Sequence, residues 1–153
     1  VQWRLQNTQL DIYTINGFGP AIEVPFELSF GTVPVHGYID RIFVDQLGTL
    51  LIVDLKTGNK PKTDEQLAVY RAAMQAALGR EFRWGMYLWG LKTGAASQTP
   101  PIDLTHWTNE KLAGMYQQAD FLINNGIFIP QPGANCWACG VKAHCDYVKS
   151  TYI

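Results

Sequence analysis

Residues 37–58 read GYIDRIFVDQLGTLLIVDLKTG, two runs rich in Ile, Val, Leu and Phe on either side of the segment Asp45-Gln46-Leu47-Gly48. Apolar runs around a short polar segment that contains glycine predict a β-hairpin. Successive side chains of a strand point to opposite sides of a sheet, so the hairpin has two distinct faces. The face predicted to be apolar comprises Ile39, Phe43, Leu51, Val53 and Leu55.

The other face carries two carboxylates and a lysine. Pairing about the turn places Asp40 opposite Asp54 or nearly so, and Lys56 projects from the same face two residues later. Like charges that face one another across a ladder destabilise a sheet, so the pair indicates a bound cation. Two adjoining carboxylates suit Mg²⁺ or Mn²⁺, and a nearby lysine can orient water or stabilise charge on a phosphate. A structural Asp–Lys pair on a solvated face is the alternative interpretation.

A helix is predicted over residues 63–78. Thr63 and Gln66 have the spacing of a capping box, and Gly79 marks the C-terminal end. Gln66 and Tyr70 are four residues apart and are therefore neighbours on one face of the helix. From the residues alone, Gln66 could simply cap the helix and Tyr70 could simply pack. The stripe predicted to be buried comprises Leu67, Tyr70, Met74, Ala77 and Leu78.

The remaining pattern predicts an α/β fold, in which a central mixed sheet built on the hairpin is flanked by two helices. Strands are predicted over 22–30, with Pro25 restricting it to an edge or bulge, and over 82–91 beside the hairpin. Residues 93–101 are predicted to form a loop and 102–107 a short edge strand. The second helix is predicted over 109–124, with a buried stripe of Leu112, Met115, Tyr116, Ala119, Leu122 and Ile123.

The C-terminal tail contains a cluster of thiols. Cys136 and Cys139 form a C-x-x-C motif and Cys145 follows after five residues. Three clustered cysteines do not form a secreted disulfide framework, which favours a metal site in a reducing cytoplasm. His144 could complete a Cys₃His zinc site, whereas a 4Fe–4S cluster normally requires a fourth cysteine. The residues alone do not choose between the two metals.

The motifs GYIDRI and IVDLKTG, followed by Gln66 and Tyr70 as Q-x-x-x-Y, resemble the RecB-like branch of the PD-(D/E)XK nuclease superfamily. The cysteine tail is similar to that of the branch's iron–sulfur members, which include the cluster-containing CRISPR-associated exonucleases. The resemblance extends from about residue 22 to residue 147. It implies a restriction-endonuclease-like core and metal-dependent hydrolysis of DNA, often exonucleolytic, with single strands or DNA ends as substrates and with recombination, repair or phage DNA metabolism as the setting.

The resemblance also implies roles for individual residues. Asp40, Asp54 and the carbonyl of Leu55 would hold Mg²⁺ or Mn²⁺, and Lys56 would position the attacking water. In the family, the glutamine and tyrosine that correspond to Gln66 and Tyr70 orient the DNA strand. The resemblance further implies that three cysteines bind a 4Fe–4S cluster: Cys136, Cys139 and Cys145.

Composition sets further limits. The 153 residues are 47% hydrophobic and 16% charged, which is typical of a globular chain, and we expect a single nuclease domain over residues 1–153. The net charge of −1 gives no sign of a DNA-coating protein, and no apolar run is long enough to span a membrane. The family's upstream histidine motif and fourth cysteine have no match, so we expect the natural protein to include an upstream segment. A non-catalytic DNA-binding or scaffold module with possible protein partners is the rival function.

Overall fold

A computed structural model describes residues 10–57, 61–90, 96–130 and 133–145. The chain divides into two compact units, Val1–Gln117 and Gln118–Ile153. The strands of the first unit are β1 (Leu10–Ile12), β2 (Thr14–Ile15), β3 (Gly19–Pro20), β4 (Ile22–Phe30), β5 (Val33–Asp45), β6 (Leu50–Lys56), β7 (Trp84–Gly90), β8 (Ala96–Gln98) and β9 (Ile102–Asp103). Helix α1 spans Glu65–Leu78, and helix α2 spans Asn109–Asn124 and crosses the boundary of the units.

The predicted mixed sheet is present and has seven strands in the order β1-β5-β6-β7-β8, with β4 also paired to β5 and β9 to β7. Strands β5 and β6 form the predicted antiparallel hairpin. Strand β7 pairs with β6 in parallel, and α1 makes the crossover between them, as parallel neighbours require. The two-helix, mixed-sheet arrangement fits an α/β restriction-endonuclease-like core, as predicted.

The hairpin turn is fixed by the side chain of Asp45. Its Oδ1 accepts hydrogen bonds from the backbone N–H groups of Leu47 (2.9 Å) and Thr49 (2.8 Å). Gly48 closes the turn at φ +79°, a left-handed conformation that glycine adopts without steric cost. The turn therefore lies where the sequence predicts it, and it sets the register of the pair.

Both faces of the hairpin are buried, which corrects the prediction of one polar and one apolar face. Leu51 and Val53 pack with Met86 on the predicted apolar side, but Leu55 is 41% exposed. The main core lies on the side that carries Asp54 and includes these hairpin residues: Ile39, Ile42, Leu50 and Ile52.

The assignment of Ile39 to the opposite face was wrong because the alternation of β5 breaks at the proposed site. Ile39 and Ile42 are both buried in the main core, and two half-buried residues, Asp40 and Arg41, separate them instead of one. Strand β4 has an irregularity beside this break, since Glu23 lies at φ +49°. Below the break, β5 pairs with β4 alone among the described strands, and two-stranded ribbons twist more strongly than wider sheets.

Helix α1 ends as predicted but begins differently. Gly79 terminates it in the left-handed conformation at φ +61°, and its N–H donates to the Gln75 carbonyl. The predicted capping box was wrong, because Asp64 is the N-cap and no side chain caps the first turn. Of the predicted stripe, Leu67, Tyr70 and Met74 are buried, whereas Ala77 is exposed.

Two short elements after β7 also differ from expectation. Ala96–Gln98, predicted as loop, is a strand antiparallel to β7, and its three residues are too few to show alternation in the sequence. The predicted edge strand stops at Asp103, because the Oδ1 atom of Asp103 accepts bonds from the N–H and hydroxyl of Thr105 and turns the chain. Helix α2 has the predicted bounds. Leu112 of its stripe is fully buried, while Ala119 and Ile123 are exposed.

The second unit contains the end of α2 and two short 3₁₀ helices, Ala134–Ala138 and Lys142–His144. All three cysteines are free thiols, and the N–H of Gly133 lies 3.3 Å from Cys136 Sγ. Within the described residues, no group of three or more His, Cys, Asp or Glu side chains is gathered where it could hold a metal. No helix in the same residues combines the length and hydrophobicity of a membrane span.

Helix α1 packs closely against the sheet at Gly85. A Cβ atom there would lie 2.9 Å from Leu104 Cδ1 and 3.1 Å from Leu67 Cδ1, and both leucines are fully buried. We expect Gly85→Val to lower the free energy of unfolding by about 1–3 kcal/mol through overpacking. The matched control is Gly90→Val on the same strand, where an added Cβ meets no atom within 4 Å. Urea denaturation followed by circular dichroism measures both, and equal stability of the two variants would contradict the packing described.

Candidate active site

Asp54 is the most buried charged residue of the described chain, at 2% exposure. It lies near the end of β6, a strand with partners on both sides, and directly opposite Tyr87 of β7. Burial raises the pKa of the Asp54 carboxyl, and the charge of Asp40 adds to the rise, while Lys56 and Tyr70 oppose it. The carboxylate therefore depends on nearby donors and cations to remain ionised.

Asp40 is brought to Asp54 from the neighbouring strand, as predicted. The last ladder pair between β5 and β6 is Arg41–Val53, and continuing this register by one residue pairs Asp40 with Asp54. Beyond the last ladder pair, the Asp40 side chain takes the place of a backbone acceptor, because its Oδ2 accepts a hydrogen bond from the N–H of Leu55 at 2.6 Å. The hydrogen bond holds the Asp40 carboxylate against the end of β6.

The Asp54 carboxylate and three other side chains form a closed ring of polar contacts. Lys56 Nζ lies 2.7 Å from Asp54 Oδ2 and donates to Gln66 Oε1 at 2.6 Å. Gln66 Nε2 donates to Tyr70 Oη at 2.5 Å, and the Tyr70 hydroxyl donates to Asp54 Oδ1 over a long 3.4 Å. The four-residue spacing on α1 thus places the glutamine and tyrosine side by side at the carboxylates. Neither residue acts simply as a cap or as core filling, which the sequence alone left open.

Tyr70 keeps its proton in this ring. Burial raises the pKa of Tyr70 to about 12, so the hydroxyl is a donor at neutral pH. Its ring packs edge-on against Phe26, with centroids 5.6 Å apart, and this contact fixes the side chain from the β4 side. The hydroxyl has to donate toward Asp54, because its lone pair accepts from Gln66.

Asp54 Oδ2 has capacity for a further ligand. The atom is buried, and among the described residues only Lys56 contacts it with a polar group. The Lys56 ammonium lies 2.7 Å from it and supplies positive charge on one side. A buried carboxylate oxygen with a lone pair to spare, beside a second carboxylate and already facing a positive charge, suits a hard cation.

Sequence reasoning missed the part that Tyr87 plays in the site. Its ring lies 5.8 Å from Lys56 Nζ, and its hydroxyl donates to the Thr63 carbonyl, which precedes α1. The Tyr87 side chain is 2% exposed, so it packs in the core as well as contacting the site. The parallel register, which pairs Asp54 with Tyr87, is the signal that would have revealed the contact.

His36 and Glu23 complete the account of the polar residues near the hairpin. Both side chains are exposed. The second unit contains Cys136, Cys139, His144 and Cys145, which form no ring comparable to that around Asp54.

Comparison with known proteins identifies relatives for most of the chain. A family model described as PD-(D/E)XK nuclease superfamily matches residues 7–146. The Gene 69 protein of Mycobacterium phage L5 is 37% identical over 133 residues, which are 85% of this chain and 46% of that protein. The Gene 69 protein of Mycobacterium phage D29 is 38% identical over 133 residues, 85% of this chain and 49% of that protein. The chain therefore spans about half the length of these relatives.

A solved structure shows the same fold. The crystal structure of SSO0001 superimposes with a TM-score of 0.54 and 16% sequence identity, covering 83% of this chain and 59% of that chain. At this identity, the likeness concerns the fold of the chain and not its chemistry.

The ring predicts that removing the hydroxyl of Tyr70 lowers the stability of the protein more than removing the hydroxyl of Tyr13. Tyr70→Phe leaves the buried Oδ1 of Asp54 without its donor, and we expect a loss of about 1–3 kcal/mol in the free energy of unfolding. Tyr13→Phe is the matched control, since the Tyr13 hydroxyl accepts from Arg80 at the surface and its loss should cost less than about 0.5 kcal/mol. Urea titration of both variants tests the difference. Equal losses would mean that the ring contributes nothing to the fold.

Proposed function

The chain belongs to the PD-(D/E)XK nuclease superfamily, and from this membership we propose that the ring around Asp54 is the centre of a metal-dependent DNA nuclease. The observation that carries the proposal is the pairing of Asp40 with a buried Asp54, whose Oδ2 is contacted among the described residues by the Lys56 ammonium alone. Burying a second carboxylate beside the first is unfavourable unless positive charge compensates it. A site for a cation accounts for this arrangement more fully than Lys56 alone, whose side chain also has to bond Gln66.

The donor set fits Mg²⁺ or Mn²⁺. Asp40, Asp54 and the Leu55 carbonyl are all hard oxygen donors, and Mg²⁺ is commonly held by one or two carboxylates with water completing its shell. These three residues are the ligands that we assign. When bound, the ion would supply Lewis-acid activation of the phosphate and of a water molecule.

The remaining ring residues would prepare the site for phosphodiester hydrolysis. Lys56 holds its ammonium group at the carboxylates, where it can orient the attacking water and stabilise charge that develops on the phosphate. Gln66 holds Lys56 through its amide oxygen, and Tyr70 holds Gln66 through its hydroxyl. Gln66 is also exposed, so that its side chain can orient a DNA strand entering the site.

We assign the activity more narrowly as exonucleolytic digestion of single strands or DNA ends in recombination, repair or phage DNA metabolism. The motif order of the RecB-like branch supports the exonuclease assignment. The two curated relatives are both phage proteins, which supports the phage setting. Protein partners in a recombination or repair complex fit the same setting, and a cytoplasmic location suits the free thiols of the tail.

We also propose that the cysteine tail binds a 4Fe–4S cluster through Cys136, Cys139 and Cys145. Cys136 lies in the first 3₁₀ helix, Cys139 and Cys145 directly follow the first and second helix, and all three are free thiols. Binding a cluster would draw them together. The backbone N–H of Gly133 already points at Cys136 Sγ, the kind of contact that tunes cluster thiolates. Zinc with His144 as fourth ligand is the alternative occupant.

The nuclease assignment predicts which changes remove activity without unfolding the chain. Asp40→Asn and Asp54→Asn should each abolish Mn²⁺-dependent digestion of end-labelled DNA, because each removes a charged ligand. Lys56→Met should retain Mn²⁺ binding but slow cleavage by about 10²-fold or more, the scale for losing a preorganised charge. Glu27→Gln, which changes an exposed carboxylate of β4, is the matched control and should cleave like the wild type.

Digestion of single- and double-stranded substrates with and without Mn²⁺ also decides between catalysis and a scaffold. Full activity in either aspartate variant would overturn the assignment of the site. A protein that binds DNA but neither binds Mn²⁺ nor cleaves at any Mn²⁺ concentration would be a non-catalytic module.

The tail proposal predicts that protein purified without oxygen is brown and contains iron. Replacing Cys136, Cys139 or Cys145 by Ser should remove the iron and lower the melting temperature, because metal binding is coupled to folding. The matched control is His36→Ala at the surface. Colourless protein with stoichiometric zinc, lost in His144→Ala, would establish the zinc alternative.

A further inference from the structure

A cavity of about 690 Å³ lies in the first unit between α1, the β4–β5 turn and the start of α2. Much of its wall is polar, and none of the four ring residues lines it. The alanines that also line it, Ala72, Ala76 and Ala113, leave its interior open. Its polar side chains come from these residues: Ser29, Arg71, Gln75, Thr105, Thr108, Asn109 and Glu110.

Arg71 is the cationic residue of this cavity, and part of its guanidinium has no partner. Nη1 donates to the Trp107 carbonyl at 2.8 Å. The Nε–H is buried, and none of the described residues accepts from it. Arg83, by comparison, donates from two nitrogens to the carboxylate of Asp103. A buried donor left unpaired costs about 1–3 kcal/mol, so the unpaired side of Arg71 calls for an acceptor.

No carboxylate of the described residues pairs with Arg71. Glu110, the acidic residue of the wall, is already engaged: hydrogen bonds from its own backbone N–H and from the Thr108 hydroxyl lower the pKa of its carboxyl. The positive charge of Arg71 is therefore held in a concave, hydroxyl-lined site without a direct counter-charge.

We propose that this cavity is an anion site that binds a phosphate group through Arg71. The planar guanidinium recognises phosphate by two parallel N–H···O bonds, and Ser and Thr hydroxyls add neutral donors. Because Arg71 Nε is buried, the guanidinium has to rotate slightly about its hydrogen bond to the Trp107 carbonyl before two of its N–H groups can face the phosphate. The volume falls within the 300–1,000 Å³ typical of ligand sites, roughly enough for a nucleotide or a short run of DNA backbone. The site is separate from the proposed metal centre and does not depend on it.

The test measures inorganic phosphate binding by calorimetry in EDTA, so that the proposed metal centre makes no contribution, with chloride at equal ionic strength as the control. Phosphate should bind the wild type and raise its melting temperature, as any ligand specific for the folded state does. Arg71→Gln should abolish binding, but it also removes the Trp107 contact and can lower stability. The second variant is therefore Ala76→Glu, which introduces a negative charge at an exposed helix position that lines the cavity.

Ala76→Glu should weaken phosphate binding by about tenfold or more through like-charge repulsion. The matched control is Ala77→Glu, the next exposed residue of α1, which does not line the cavity and should bind like the wild type. Undiminished binding in both Arg71→Gln and Ala76→Glu, equal weakening by Ala76→Glu and Ala77→Glu, or no binding by the wild type would overturn the proposal.

Competition experiments identify the molecule that supplies the phosphate group. If a 5′-phosphorylated oligonucleotide displaces phosphate better than its 5′-hydroxyl form, the ligand is a DNA end. Equal displacement by both identifies the internal backbone, and displacement by a free nucleotide alone identifies a small-molecule ligand. Each result supports an anion site, provided that Ala76→Glu weakens it.

Discussion

The burial of the Asp54 carboxylate is the constraint on which the site depends. A carboxylate taken out of water at the centre of a sheet is costly unless cations and donors surround it. The fold meets this need from two directions, since Lys56 follows on the same strand and α1 contributes Gln66 and Tyr70. Asp40, held beside it on β5, adds a second negative charge. The parallel β6–β7 pair supplies the remaining wall through Tyr87. A residue that would destabilise an ordinary sheet thereby organises the polar part of the molecule.

The polar contacts around Asp54 leave the N-terminal end of helix α1 without a side-chain cap. The Gln66 side chain, which could cap the first turn, is committed to Lys56 and Tyr70, and the first turn has no side-chain cap. Tertiary contacts hold the N-terminal end of the helix instead. Trp107 Nε1 donates to Asp64 Oδ1 at 2.9 Å, and the Tyr87 hydroxyl donates to the Thr63 carbonyl. Proteins often violate a local preference at a functional site and restore the stability elsewhere, and α1 follows this rule.

The same helix borders two polar sites. Gln66 and Tyr70 face the carboxylates, whereas Arg71 and Gln75 line the cavity. Because α1 is packed closely on the sheet at Gly85, the spacing between these side chains is fixed by a rigid element. A substrate that engages both would therefore be held in one register. Such joint binding is inferred from the position of both sets of side chains on one helix, and it requires both the proposed metal centre and the proposed anion site.

The sequence by itself determined the hairpin, its turn at Asp45–Gly48, the bounds of α2 and the pairing of Asp40 with Asp54, because these depend on short-range periodicity and turn chemistry. It also indicated the superfamily, through motifs that are local in the chain. It did not determine the face of Ile39 or the use of Gln66 in place of a cap. It missed the strand Ala96–Gln98 and the contact between Tyr87 and Lys56. Tertiary structure decided these, because β5 breaks its alternation between two different partners and β7 joins β6 only after α1 has crossed over. Sequence periodicity predicts which residues share a face of a strand or helix, whereas the packing of the whole chain determines which residues that face contacts.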